Sequence, residues 1–235
     1  MTEPRAPLLT ASARRALDEQ APRTWQRMLS GRSLNLIDPS PLDIDIADIA
    51  LGLSRNARWN GQTNGDHAWS VAQHALFVVD ILARARPESP SWVLLAALLH
   101  DAPEYVTHDL ITPLKAAVGD VFREIETRLQ EAVHLAFGLP ARLPRGIKAQ
   151  IKQADLVAGA TEAVQLAGFT AEEVKGLLRI KAAPLAGVVL EPWPCAAAEA
   201  AFRKRFDALY RSHRHGRAQT AGKAETPPPS GEFRF

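Results

Sequence analysis

Apolar residues recur at helical spacing along most of this chain, and no segment shows a convincing strand-like alternation. Between Pro41 and Leu53, the positions Ile44, Ile46, Ile49, Ala50 and Leu53 form one stripe and predict a helix from about Asp45 onward. A Gly- and Asn-rich stretch, RNARWNGQTNGDHAW, follows and reads as a loop. Ser70 then caps a strong helix ending near Arg86, where Pro87 stops it. The next helix runs from about Ser91 to Pro103, after a Pro-Glu-Ser-Pro break. Its stretch from Trp92 to Leu99 (WVLLAALL) carries no polar residue, so it must be buried among other helices.

Tyr105 to Lys115 reads as irregular, closed by Pro113. Two longer helices are expected over Val121–Phe137 and Arg145–Ala167, a shorter one over Ala171–Lys181, and a last one over Ala196–Arg211. Prolines and polar residues interrupt the first forty positions, where a short helix around Ala11 to Met28 fits the pattern. The fold class is all-α, a single helical bundle over residues 41–212. An N-terminal extension, residues 1–40, precedes it, and a disordered basic and Pro-rich tail, residues 213–235, follows.

Composition narrows the function classes. A net charge of +2 is too weak a field to argue for a nucleic-acid polymer as partner. A single cysteine, Cys195, excludes an internal disulfide and fits a reducing compartment. No run of about 18 apolar residues suggests a membrane span, and the N-terminus lacks a continuous apolar segment of the secretory type. A cytoplasmic location is the expectation.

The chemistry centres on His100-Asp101, delivered at the end of the all-apolar helix. Burying an imidazole and a carboxylate without partners costs on the order of 1–3 kcal/mol each, so something must meet them. His74 lies on the apolar stripe of Val71, Ala75, Val78 and Leu82. Asp155 shares the inward face of Ile147, Ile151, Ala154 and Ala158, with Lys152 available as an ordinary ion-pair partner. Two imidazoles and two carboxylates from three helices suit one divalent cation with open positions for water and substrate. Such mixed ligation fits Mn, Fe, Co, Ni or Zn, and the absence of thiolate argues against a purely structural zinc site. Glu104, one turn after His100, can face the same pocket and handle the proton of an attacking water.

The order His, His-Asp, Asp in an all-α chain resembles the HD-domain metal-dependent phosphohydrolases. SVAQH (Ser70–His74), LLHDAPE (Leu98–Glu104), DLITPLK (Asp109–Lys115) and QAD (Gln153–Asp155) are similar to blocks of its bacterial 5′-deoxynucleotidase-like branch. That branch also includes relatives that remove triphosphate from deoxynucleoside triphosphates. The resemblance covers roughly residues 45–167. It implies a metal site of His74, His100, Asp101 and Asp155, with Glu104 acting on the attacking water and Asp109 contacting sugar or orienting water. It also implies that Arg58 orients phosphate beside the aromatic Trp59, a role that fits a rigid guanidinium fork. Gln62 stands where several relatives carry His. Thr112 and Lys115 are candidate donors to a phosphate or ribose.

The expected activity is hydrolysis of a phosphate ester or anhydride on a small nucleotide, with one divalent metal ion as cofactor and a homo-oligomer as the expected state. Monophosphate and triphosphate substrates both stay open. One alternative is a di-iron oxygenase using His108 and His134. His134, turned about 100° from the apolar position Val133, would then have to leave the solvent side. Another is a nucleotide-binding regulatory module without turnover, against which the joint presence of Glu104, Asp109 and Arg58 speaks. His213 and His215 are assigned to the exposed tail.

Overall fold

Capping decides where several helices begin. The computed structural model describes residues 24–224, with side chains as far as residue 217. Asp45 accepts a hydrogen bond from the Ala47 N–H at 2.9 Å and opens α1 (Ile46–Arg55). Ser70 accepts from the Gln73 N–H at 3.2 Å and opens α2 (Val71–Ala85). The all-apolar segment forms α3 (Ser91–Leu98), whose residues Leu95 to Leu98 are fully buried. Then come α4 (Glu104–Thr107), α5 (Thr112–Val118), α6 (Asp120–Ala136), α7 (Arg145–Gln165), α8 (Ala171–Gly176) and α9 (Cys195–Ala224). The bundle is all-α in class, as expected.

The centre of the fold is α3, flanked by α2 and α9. Ala198, Phe202 and Phe206 follow one another at intervals of a helical turn on α9 and are buried in the core, so this helix closes the bundle over α1 and α3. On its other side α2 packs against α7. That contact brings the segments bearing His74 and Asp155 together. Among the described residues, no helix is long and apolar enough to cross a membrane.

Five expectations need correction. Trp25–Arg27 (β1) and Ser33–Asn35 (β2) pair as an antiparallel hairpin, with Gln26 opposite Leu34. A strand of three residues is too short for alternation to show in sequence. The hairpin also replaces the end of the helix expected up to Met28, whose earlier part, residues 11–23, lies outside the described residues. Leu34 and Met28 enter the core, and Ser30 anchors the hairpin by donating to the buried Asp48 of α1. The stretch expected to be irregular contains α4 and α5; Pro113 lies in the first turn of α5, where its missing N–H costs no helical hydrogen bond. Finally α9 continues through Arg214 to Ala224, so the first part of the expected tail is helical. His213 on it is buried against the Gly138 carbonyl at 3.2 Å rather than exposed.

The close approach of α1 and α4 matters to the site, because α4 begins at Glu104. A Cβ added at Gly52 would lie 2.7 Å from the Tyr105 carbonyl oxygen and 2.8 Å from the Tyr105 Cβ. Gly52→Ala should therefore force the two helices apart and cost about 1–3 kcal/mol of stability. Urea denaturation would read this loss, and an unchanged midpoint would contradict the packing described.

Candidate metal centre

Four side chains from three parts of the bundle meet at one point. His74 faces inward from α2 with no exposure, and Asp155 projects from α7. His100 and Asp101 lie in the turn that ends α3, where the apolar run gives way to polar residues. His74 Nε2 is 3.2 Å from Asp155 Oδ1 and 3.5 Å from Asp101 Oδ2. His100 Nε2 is 3.2 Å from Asp101 Oδ2 and 3.9 Å from Asp155 Oδ1. Ligand atoms from all four residues lie within 4.8 Å of one another. Donors held about 2.1 Å from a shared ion stand about 3–4 Å apart, so these side chains can hold a metal ion.

Hydrogen bonding at the far side of each ring supports that fit. His100 Nδ1 donates to the Ala97 carbonyl at 2.8 Å, and His74 Nδ1 donates to Glu162 Oε1 at 2.6 Å. A carbonyl and an ionised carboxylate only accept, so both Nδ1 atoms carry the proton and each Nε2 of the neutral ring presents a lone pair. Both Nε2 atoms are buried and have no hydrogen-bond partner. Lone pairs aimed at carboxylate oxygens repel, so the position between rings and carboxylates calls for positive charge, either a second proton on a ring or a bound cation.

The electrostatics show the same demand. Burial and Arg58 pull the His74 imidazolium down, yet Glu162 and Asp155 hold it up to about 10. Burial would raise Asp101, but His100 and His74 keep its carboxyl well below the usual range. Asp155 is lowered against burial by the same two rings, with help from Lys152, whose Nζ lies 2.6 Å from Asp155 Oδ2. A divalent cation supplies the required charge to all four ligand atoms at once.

Glu162 is a candidate site residue absent from the expectations drawn from sequence. It is fully buried on α7, and its Oε2 accepts from Arg58 Nε and Nη2 at 3.3 Å and from the Trp59 indole at 3.2 Å. The available signal was spacing: Glu162 falls seven residues after Asp155, two turns along the same inward face. Burial would push its carboxyl up, but His74 and Arg58 bring it down to about 2.

Arg58 and Trp59 owe their positions to strained loop backbone. The Arg58 N–H donates to the Trp69 carbonyl at 2.8 Å, while Trp59 and Asn60 adopt left-handed φ values of +57 and +51. Arg58 Nη1 also reaches Asp109 at 3.3 Å. The Trp59 ring packs near Phe169, with centroids 5.9 Å apart.

Glu104 is buried, with Oε1 on Lys115 Nζ at 3.2 Å and Oε2 without a partner. Burial, Asp101 and Asp109 push its carboxyl well above the usual range, outweighing Lys115 and Arg58. Lys115 also pairs with Glu126 at 3.2 Å. A cavity of about 680 Å³ opens beside the centre, bounded by His100, Asp101, Glu104 and Asp155. Of the expected substrate-contacting residues, Lys115 lines it; Arg58, Trp59, Asp109 and the exposed Thr112 do not.

The two histidines of the di-iron alternative do not join the cluster. His108 is exposed at φ +63. His134 is buried, contrary to the solvent-facing position expected from helical spacing, because the chain after α6 folds back over it. Its Nδ1 lies 3.1 Å from the Ala141 carbonyl, and its Nε2 lies 2.7 Å from the Gln130 amide.

The fold and site together define an HD-type helical bundle with a metal-capable centre. A family model described as 5′-deoxynucleotidase YfbR-like matches residues 51–174, more than half of the sequence, and the chain belongs to that family of nucleotidase-type phosphohydrolases. It is 53% identical over 194 residues to an uncharacterized protein of Rhodobacter capsulatus, a match covering 81% of this chain and 97% of that protein. It is 33% identical over 120 residues to the uncharacterized protein YfdR of Escherichia coli, covering 51% of this chain and 60% of YfdR.

Two consequences of Glu162 are measurable. Glu162→Gln should weaken Mn²⁺ or Zn²⁺ binding about 10–100-fold, read by competition with a chelating dye. A carboxyl lowered from 4.5 to about 2 on folding stabilises fully above 4.5 and loses that contribution as pH falls toward 2. The stability advantage of the wild type over Glu162→Gln in urea should shrink through that window. An advantage that grows on acidification would contradict the ion-pair assignment.

Proposed function

We propose that this protein is a metal-dependent phosphohydrolase acting on small nucleotides, as a 5′-(deoxy)nucleotidase or a deoxynucleoside triphosphate hydrolase. The observation that carries this reading is the pair of buried Nε2 atoms, free of hydrogen bonds and facing two carboxylates beside an open cavity. Family membership supports the reaction class.

His74, His100, Asp101 and Asp155 would hold the ion, with Mn, Co, Zn, Ni and Fe all compatible with mixed N and O donors. When bound, a divalent ion supplies Lewis acidity toward a phosphoryl oxygen and lowers the pKa of water. Glu104 takes the proton of the attacking water. Burial, Asp101 and Asp109 raise its carboxyl, which makes the ionised form a stronger base, and Lys115 restrains its Oε1 so that Oε2 is free to act. Arg58 offsets the charge that grows on the phosphoryl oxygens, and Asp109 and Glu162 hold its guanidinium in place. Trp59 walls this side of the site. Thr112, exposed at the start of α5, has no role in this scheme.

The decisive assay is phosphate release from a panel of deoxynucleoside mono- and triphosphates with Mn²⁺ or Co²⁺ added. Tight nucleotide binding with release from none of them would replace the hydrolase with a regulatory nucleotide-binding module. Glu104→Gln should lower kcat at least about 100-fold with metal content intact by elemental analysis. Asp155→Ala should lose bound metal, so that Mn²⁺ no longer raises its melting temperature. Full metal content in that variant would remove Asp155 from the ligand set.

A further inference from the structure

The face of α6 that borders the cavity carries an amide held in one orientation by its neighbours. Gln130 and His134 both line the cavity, one helical turn apart. His134 Nδ1 lies 3.1 Å from the Ala141 carbonyl, which only accepts, so this nitrogen carries a proton. Burial lowers the His134 imidazolium below its ordinary value, so near neutral pH the ring is uncharged and Nε2 presents a lone pair. The Gln130 amide nitrogen stands 2.7 Å from that Nε2 and 2.9 Å from the Leu99 carbonyl. Two acceptors thus take both amide hydrogens, and turning the amide over would set its oxygen against each of them.

The consequence falls on Gln130 Oε1. Among the described residues no donor reaches this oxygen, and its side chain is only half-buried at the cavity wall. A locked amide cannot exchange acceptor for donor, so the cavity meets a fixed acceptor here. Its place relative to the metal centre is set as well, because Leu99 directly precedes His100. Glu104 Oε2, buried and without a partner, bounds the same cavity, and Pro103, Leu143 and Ile151 supply apolar wall. Apolar walls with a few placed polar groups are how small-ligand sites fix orientation. Asp109, the candidate sugar contact, lies outside this cavity, which leaves the base as the part of a nucleotide to occupy it.

We propose that Gln130 reads the nucleobase, its Oε1 accepting a hydrogen bond from an exocyclic amino group such as that of adenine or cytosine. This rests on the nucleotide phosphohydrolase reading and deepens it by naming a determinant of base preference. A base with a carbonyl at that position, such as hypoxanthine or uracil, sets oxygen against oxygen.

The test uses the metal-loaded, full-length protein carrying Glu104→Gln, which halts turnover and keeps the ion. Calorimetric titration compares dAMP with the purine deoxynucleotide that has hydrogen in place of the amino group, and dCMP with the matching 2-pyrimidinone nucleotide. In at least one pair the amino-bearing ligand should bind about five- to tenfold tighter, and the pair that responds identifies the ring. Adding Gln130→Met, with its melting temperature as a check on folding, should erase that difference by weakening the amino-bearing ligand alone. The ligand pairs probe residue 130 unaltered, so they decide the matter even where Gln130→Met does not fold. Equal affinity within both pairs, or equal losses for both members in the variant, would overturn the assignment. A third arm compares dAMP with its 3′-deoxy analogue. A difference there that Gln130→Met erases would put the contact on the sugar and overturn base reading. Titration needs no turnover, so a wild type that releases no phosphate would refute the hydrolase reading without deciding this one.

Discussion

A carboxylate with no exposure to solvent stays ionised only if donors surround it, and Glu162 is surrounded by the residues on which the site depends. One oxygen fixes His74 through Nδ1, and the other gathers Arg58 and the Trp59 indole. The charge on Glu162 therefore sets the orientation of a candidate metal ligand and the position of a candidate phosphate-facing guanidinium together. Removing a partner from such a buried group leaves an uncompensated charge, which costs far more than losing a surface pair. This interaction also ties α7 and α2 to the loop before α2, so the geometry of the centre and the packing of the bundle share one cause.

Much of this was legible in sequence because burial leaves a periodic record. The apolar stripe of α2 placed His74 inward, and the inward face of α7 did the same for Asp155. The polar dyad after an all-apolar α3 marked the point where they meet. Glu162 left a weaker trace, since an acidic residue on a helix is ordinarily solvated and only its register with Asp155 separates it from that background. The hairpin escaped because its strands are shorter than any alternation that could be counted. The position of His134 was misread because helical phase describes one helix against the core. It does not register the Leu139–Pro144 stretch returning across α6 to cover a face that would otherwise meet water.

The expected substrate residues divide into two groups around the centre. Arg58, Trp59 and Asp109 form a polar network with Glu162, whereas Glu104 and Lys115 line the open cavity. Glu104 lies at the boundary. Its carbonyl accepts from the buried Asn56 amide, which belongs to the turn leading to Arg58, and its carboxyl adjoins the cavity. A linear motif places such residues on one line, and the folded chain separates them into a network tied to Glu162 and a pair that faces the cavity.

The ligand-bearing segments end by Gln165, yet α3 is sealed only when Ala198, Phe202 and Phe206 of the last helix dock against the core. During synthesis, the segment that delivers His100 and Asp101 thus emerges long before its apolar cover does. Until that cover arrives, a nascent chain exposes one of its most aggregation-prone stretches. A break before residue 195 would thus leave every candidate ligand in the chain while removing the apolar cover that packs over the helix leading to His100 and Asp101.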